Sequence, residues 1–136
     1  MQVTCLRSGQ EEPVHYDNIA VGDIVKIKGG MNIPVDGILI HGSGVTVTEA
    51  AMTGESDELK KETLETCKHR REEKDAEFAY TKDPKRSNHD IPSPLMLSGT
   101  QIVTGEGWFV VVMVGKHSCV GKILGKLNQQ IETTPL

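Results

Sequence analysis

The chain has 136 residues, a net charge of −4 at neutral pH, 37% hydrophobic side chains and 25% charged ones. That length suits one domain burying roughly two thirds of the surface its unfolded chain exposes, and the composition excludes wholesale disorder. Aromatic residues make up only 4%, which together with the negative charge excludes the stacking platforms and basic footprint of a nucleic-acid binder.

The chain begins abruptly in strand-like sequence, as a segment of a longer protein would. No apolar run follows Met1-Gln2-Val3, so it is not a signal peptide, and no stretch approaches the 18 apolar residues of a membrane span. Asp23-Ile24-Val25-Lys26-Ile27-Lys28 predicts a short strand closed by Gly29-Gly30. Ile38-Leu39-Ile40 follows the turn Pro34-Val35-Asp36-Gly37. Val45-Thr46-Val47-Thr48 alternates, placing both valines on one face and both threonines on the other. Leu95-Met96-Leu97 and Gln101-Ile102-Val103 flank Ser98-Gly99-Thr100. The apolar run from Trp108 to Val114 predicts a strand covered on both faces. Short strands punctuated by glycine predict a β-sandwich or roll. Val120, Ile123, Leu124, Leu127 and Ile131 fall on one helical face, with Ser118 as N-cap.

Residues 58–93 interrupt this pattern with 18 of the 34 charged side chains, nine of each sign. Without an apolar stripe, they predict a solvated insert whose first part has good helix formers but little packing to hold them. Cys5, Cys67 and Cys119 are widely spaced with no Cys-x-x-Cys, which fits reduced thiols in a cytosolic setting. The histidines have no metal-ligand spacing, and Cys67-x-His69 reads as an accident of the polar tract.

The candidate site is Thr53-Gly54-Glu55-Ser56, between the Val45–Thr48 strand and the insert. A glycine permits a sharp turn, the carboxylate can take a proton from water, and flanking hydroxyls can hold the loop. Alone, the tetrapeptide also reads as an ordinary exposed turn. Its company is more informative. Val21-Gly22-Asp23-Ile24-Val25, Ile33-Pro34-Val35-Asp36-Gly37, Glu49–Ser56, Leu97-Ser98-Gly99-Thr100 and Val114-Gly115 follow in order. This series resembles the actuator domain of P-type cation-transporting ATPases, from about Val14 onward. Thr53–Asp57, Lys60-Lys61, Ser98-Gly99-Thr100 and Thr134-Pro135-Leu136 are most similar to the plasma-membrane-type calcium pumps. Where the family often has Asp-Glu-Ser ahead of the signature loop, this chain has Thr48-Glu49-Ala50 and keeps only the Glu.

The resemblance implies an all-β fold: a distorted jelly-roll or double-stranded β-helix-like actuator domain over residues 1–136, with a C-terminal amphipathic helix and the charged insert 58–93. It implies a cytosolic loop between the second and third membrane helices of an integral protein of the plasma membrane or an internal membrane. Another domain is phosphorylated on aspartate by ATP. The actuator then rotates, and Glu55, with Thr53, Gly54 and Ser56, brings water to the aspartyl phosphate. Asp36, Gly37, Glu49, Ser98, Gly99 and Thr100 support that loop. ATP and Mg²⁺ belong to other domains; this segment itself holds no cofactor or metal. The implied partners are the phosphorylation and nucleotide-binding domains and membrane helices of the same chain, with calcium as the transported ion.

From the residues alone, Asp23 and Asp36 read as turn formers. Lys68-His69-Arg70-Arg71 and Lys85-Arg86 are basic clusters that could touch acidic lipid headgroups, an attraction that the interleaved acids weaken. A stand-alone β-rich module, binding a partner or anionic lipid through the insert, is the alternative to a pump domain.

Overall fold

The computed structural model describes residues 1–81, 92–119, 121–123, 125 and 126. Among the described residues, seven antiparallel strands form the sheet: β1 (Gln2–Arg7), β2 (Gln10–His15), β3 (Ile24–Ile27), β4 (Asp36–Thr48), β5 (Glu58–Lys60), β6 (Leu95–Met96) and β7 (Gln101–Met113). Their order is β2-β1-β3-β7-β4-β5, with β6 also paired to β4. Helix α1 (Ala50–Thr53) follows β4, and helix α2 (Leu64–Thr81) follows β5.

The expected all-β roll is present, and strand pairing shows how it closes. Gly37 of β4 pairs with Met96, whereas Thr48 of the same strand pairs with Gln101. Met96 and Gln101 can be no more than about 18 Å apart along the chain. A straight strand from Gly37 to Thr48 would span about 36 Å. Strand β4 therefore folds back sharply together with β7, its partner along its length. The bend lies where register slips between Leu39 and Thr46. Glycine makes it feasible: at Gly107 (φ 156°) a Cβ would collide with the His41 carbonyl and sit 2.6 Å from Gly42 Cα. The two strand segments expected on either side of Gly42-Ser43-Gly44 are thus one bent strand, as are Gln101–Val103 and Trp108–Met113.

The sheet curls around an apolar core in which Val25, Ile27, Leu39, Val45, Val47, Met96, Ile102, Phe109 and Val111 are almost fully buried. Val45 and Val47 point inward and the adjacent threonines are half-exposed, as their alternation predicts. The expectation for the Trp108–Val114 run is corrected. Phe109 and Val111 are buried, but Val112 and Met113 are 39% and 44% exposed. This run lies in a single curled sheet with one core-facing side, so it alternates as far as Val111; beyond it the register slips opposite Asp36 and Gly37, and Val112 and Met113 are both exposed.

The insert also differs from a wholly solvated excursion. Its first residues form β5, which pairs with Thr46–Thr48, and Lys61 and Cys67 are buried. It continues as α2, with charged residues around much of its circumference. The cluster Lys85-Arg86 lies outside the described residues. At the C-terminal end, residues 119, 121–123, 125 and 126 are helical. Ser118 caps this helix as expected: its Oγ accepts the Gly121 N–H at 3.2 Å and donates to the Gly115 carbonyl at 2.6 Å. Val120, Leu124, Leu127 and Ile131 of the expected apolar stripe lie outside the described residues.

Candidate functional site

The signature tetrapeptide is built from the end of β4. Immediately after Thr48, the chain turns through α1, which is anchored on one carbonyl. Glu49 O accepts the N–H of Met52 at 2.9 Å, the N–H of Thr53 at 3.0 Å and the Thr53 hydroxyl at 3.2 Å. Gly54 closes the turn in the left-handed region (φ 76°), donating its N–H to Ala50 O at 2.9 Å. Only glycine takes that conformation without strain. The next N–H, that of Glu55, donates to Thr53 Oγ1 at 3.2 Å. Thr53 thus ties the loop to Glu49 on one side and to Glu55 on the other.

Thr53, Gly54, Glu55 and Ser56 are all exposed. Among the described residues, no hydrogen bond or ion pair engages the Glu55 carboxylate. It stands free at the tip of a locally hydrogen-bonded turn. Beside it is an open cleft of about 300 Å³ lined by Glu49, Thr53, Glu55, Asp57, Glu58 and Leu59. Four carboxylates face this space, yet among the described residues no group of three or more acids, histidines or cysteines has metal-holding geometry.

The supporting residues divide between two places. Glu49 belongs to the loop. Asp36, Gly37, Ser98, Gly99 and Thr100 gather around the start of β4. The Asp36 carboxylate accepts the Ser98 N–H at 2.9 Å and the Cys119 N–H at 2.8 Å. Gly99 N–H donates to Ile33 O at 2.9 Å, and the Thr100 hydroxyl donates to Leu97 O at 2.7 Å. Gln101, the next residue, pairs with Thr48. The Ser98–Thr100 segment therefore joins the two ends of the bent β4, and Gln101 links it to the strand that carries the signature loop. Reading Asp36 as a turn former is corrected: its carboxylate is a cross-brace between distant segments. Asp23 does hold a turn, accepting the Ala20 N–H at 2.9 Å, and also pairs with Arg7 at 2.6 Å. Cys67 is buried while the His69 side chain is 73% exposed, so the two do not converge.

Lys61 is the residue that reading in sequence passes over. It stands in a charge-rich tract and nothing in its spacing marks it, yet it is only 6% exposed. Burial pushes its ammonium below the ordinary lysine value, opposed first by the Glu49 carboxylate and then by Cys67. Burial likewise pushes the Cys67 thiol up.

Comparison with known proteins matches residues 1–128 to the P-type ATPase actuator domain. The match includes the β1–β2 hairpin, ahead of Val14 where the resemblance in sequence begins. The chain is 34% identical over 134 residues to calcium-transporting ATPase 2 of Schizosaccharomyces pombe, covering 98% of this chain and 10% of that protein. It is 31% identical over 134 residues to calcium-transporting ATPase 2 of Cryptococcus neoformans var. grubii, covering 98% and 9%. Plasma membrane calcium-transporting ATPase 1 of Homo sapiens is 36% identical over 125 residues, 92% of this chain and 8% of that protein. The chain spans about a tenth of the length of these relatives. The fold also matches the crystal structure of a zinc-transporting PIB-type ATPase in its E2.Pi state, with a TM-score of 0.69 at 19% identity, covering 99% of this chain and 17% of that one. Nothing in these matches supports a stand-alone binding module. The chain belongs to the P-type ATPase actuator domain family.

Proposed function

We propose that residues 1–136 work as one actuator domain of a calcium-transporting P-type ATPase, and that Glu55 positions and activates the water that hydrolyses the aspartyl phosphate. The observation that carries this reading is the exposed, unengaged Glu55 carboxylate on a turn fixed by Thr53 and Gly54. An acyl phosphate is intrinsically reactive, so catalysis consists of placing one water in line and excluding others. A rigid turn without a side chain at Gly54 suits close approach to such a group. Thr53 is a positioning residue, Ser56 flanks the loop, and Glu49 anchors it.

The cleft's four carboxylates mean that the loop docks onto a surface that brings positive charge. Mg²⁺ bound in the phosphorylation domain suits that requirement, and ATP is used there and in the nucleotide-binding domain. Rotation of the actuator moves the membrane helices joined to it and so couples hydrolysis to ion release. Calcium as the ion is supported by relatives 31–36% identical whose names are those of calcium-transporting ATPases. The domain sits on the cytosolic side of the plasma membrane or an internal membrane. Acidic lipid is at most a weak partner of the insert, because Arg70 and His69 already face Glu62 and Glu73 at 3.8 and 3.2 Å.

The test is Glu55→Gln in the full-length ATPase. Phosphoenzyme forms from ATP at the normal rate and then fails to hydrolyse. A normal dephosphorylation rate overturns the role given to Glu55.

A further inference from the structure

Helix α1 has four residues, too few to hold itself, because a first turn fixes several residues for few hydrogen bonds. A threonine ties it at each end. At the entry, Thr48 Oγ1 accepts the Ala50 N–H at 3.3 Å; at the exit, Thr53 Oγ1 accepts the Glu55 N–H at 3.2 Å. In both, the hydroxyl takes the N–H two residues on, a local bond that threonine side chains offer at turns. The two threonines differ in what stands behind them. Thr53 belongs to the turn itself. Thr48 is the last residue of β4, paired with Gln101 of β7 on one side and with Glu58 of β5 on the other. Strand alternation puts it with Thr46 on the face away from the core, while Val45 and Val47 are buried. Glu49, at the N-cap position, gives α1 no side-chain bond. Among the described residues, Thr48 is therefore the side chain that joins the sheet to the first N–H of the turn.

We propose that Thr48 is a second positioning residue for phosphoenzyme hydrolysis: its hydroxyl fixes the signature turn to the β7-β4-β5 end of the sheet, so that Glu55 keeps its aim as the domain moves. The inference rests on the role proposed for Glu55. The route is short and made of contacts. Thr48 Oγ1 holds the Ala50 N–H at 3.3 Å, and the Ala50 carbonyl accepts the Gly54 N–H at 2.9 Å. Gly54 is joined directly to Glu55. Ala50 is thus held by the strand at its N–H and holds the left-handed residue by its carbonyl. A moving carrier places a carboxylate only as well as the loop is fixed to it, and small misplacements of a reacting group cost rate steeply. Threonine serves this position twice. Its branched Cβ suits the strand, and its hydroxyl caps the turn. The two properties can be removed separately.

The experiment uses the full-length ATPase with Thr48→Val, Thr48→Ser and Glu55→Gln, measuring phosphoenzyme formation from ATP, single-turnover hydrolysis and melting temperature. Thr48→Val keeps the branched strand residue and removes the hydroxyl. Formation and melting temperature are expected near the parent's, with hydrolysis slowed about fivefold, the size of one neutral hydrogen bond. Thr48→Ser keeps the hydroxyl and removes the branch. Its hydrolysis is expected near the parent's while its melting temperature falls. Rate and stability then move in opposite variants, which a merely structural role does not produce. Normal hydrolysis in Thr48→Val overturns the inference, as does Thr48→Ser slowed as much as Thr48→Val, because the hydroxyl is then not what matters. Slowed hydrolysis in Thr48→Val together with lost formation and a lowered melting temperature also overturns it, since Thr48 is then part of the scaffold only. If Thr48→Val does not accumulate, Thr48→Ala takes its place: slower hydrolysis than in Thr48→Ser, with intact formation, supports the inference, and an equal rate overturns it. Normal hydrolysis in Glu55→Gln defeats the reading of the loop and this inference with it, whereas slowed hydrolysis there beside a normal rate in Thr48→Val defeats this inference alone.

Discussion

The Asp36 carboxylate accepts the backbone N–H of Cys119 at 2.8 Å, across 83 residues of chain. Its other oxygen takes the Ser98 N–H at 2.9 Å, so one side chain ties the start of β4 to the turn before β7 and to the beginning of the C-terminal helix. Cys119 opens that helix, where orphan N–H groups and the helix dipole favour a carboxylate. Asp36→Ala leaves two amides without their acceptor and is expected to destabilise the domain by about 2–3 kcal/mol. Asp36→Asn retains one acceptor oxygen and costs less, about 1 kcal/mol. Urea denaturation checks this, the midpoint falling with an unchanged slope. Equal midpoints for Asp36→Ala and the parent would show that the brace contributes nothing.

Gly37, the next residue, is held by space. A Cβ there would collide with the Phe109 ring and sit 2.5 Å from Val110 O. Phe109 is fully buried and cannot retreat without opening the core. Gly37→Ala is expected to cost about 1–3 kcal/mol as overpacking. Trimming the ring as well, in Gly37→Ala with Phe109→Leu, should cost less than the sum of the two single changes. Denaturation of all three variants measures that difference, and simple additivity would mean that the ring is not what excludes the methyl.

Much of the strand content was legible because Val45–Thr48 and Asp23–Lys28 carry local signals of alternation and β-branched residues. The signature loop was legible because Thr53–Ser56 stands in order with its companions. What could not be read was set by tertiary closure. The bend of β4 depends on Gly37 pairing with Met96 while Thr48 pairs with Gln101, relations that no local pattern contains. The Trp108–Val114 run is apolar on both sides although only one side faces the core, so its hydrophobicity overstated its burial. Asp36 beside a glycine has the composition of a turn, and its brace to Cys119 exists only after the chain has closed. Lys61 lies among charges in sequence and beneath the core valines in space.

Gly54 is held by backbone conformation, in contrast with Gly37. Nothing lies within 4 Å of where its Cβ would stand, but its φ is 76°. Gly54→Ala therefore carries strain without collision, and about 1 kcal/mol of destabilisation is expected. Relaxing that strain shifts the peptide that leads to Glu55. In the full-length ATPase, phosphoenzyme hydrolysis should slow far more than the small stability loss accounts for, with formation unaffected. Single-turnover dephosphorylation checks this, and a wild-type rate would mean that the loop's aim does not depend on its left-handed residue.

The Arg7–Asp23 pair should shape the acid limb of the stability curve. Arg7 holds Asp23 through two bonds, Nε to Oδ1 at 3.1 Å and Nη2 to Oδ2 at 2.6 Å, and its guanidinium also reaches Asn18 O at 3.1 Å. These contacts join β1, the loop after β2 and the residue before β3. The Arg7 hydrogen bonds hold the Asp23 carboxyl below its ordinary value against the opposing effect of burial, with the Ala20 N–H assisting. Because the folded state binds this proton less readily than the unfolded chain, stability rises with pH through the interval between the two values. The contribution is fully present above the unfolded aspartate value of about 3.9 and is lost as pH falls through the depressed folded value. Asp23→Asn should therefore weaken the domain at pH 7 and flatten its loss of stability below about pH 4. Half-exposed Arg7 makes the effect modest and salt-sensitive. Denaturation midpoints at pH 7, 4, 3 and 2, at low and high salt, measure it; an acid limb in Asp23→Asn as steep as the parent's would assign the acid sensitivity to other carboxylates.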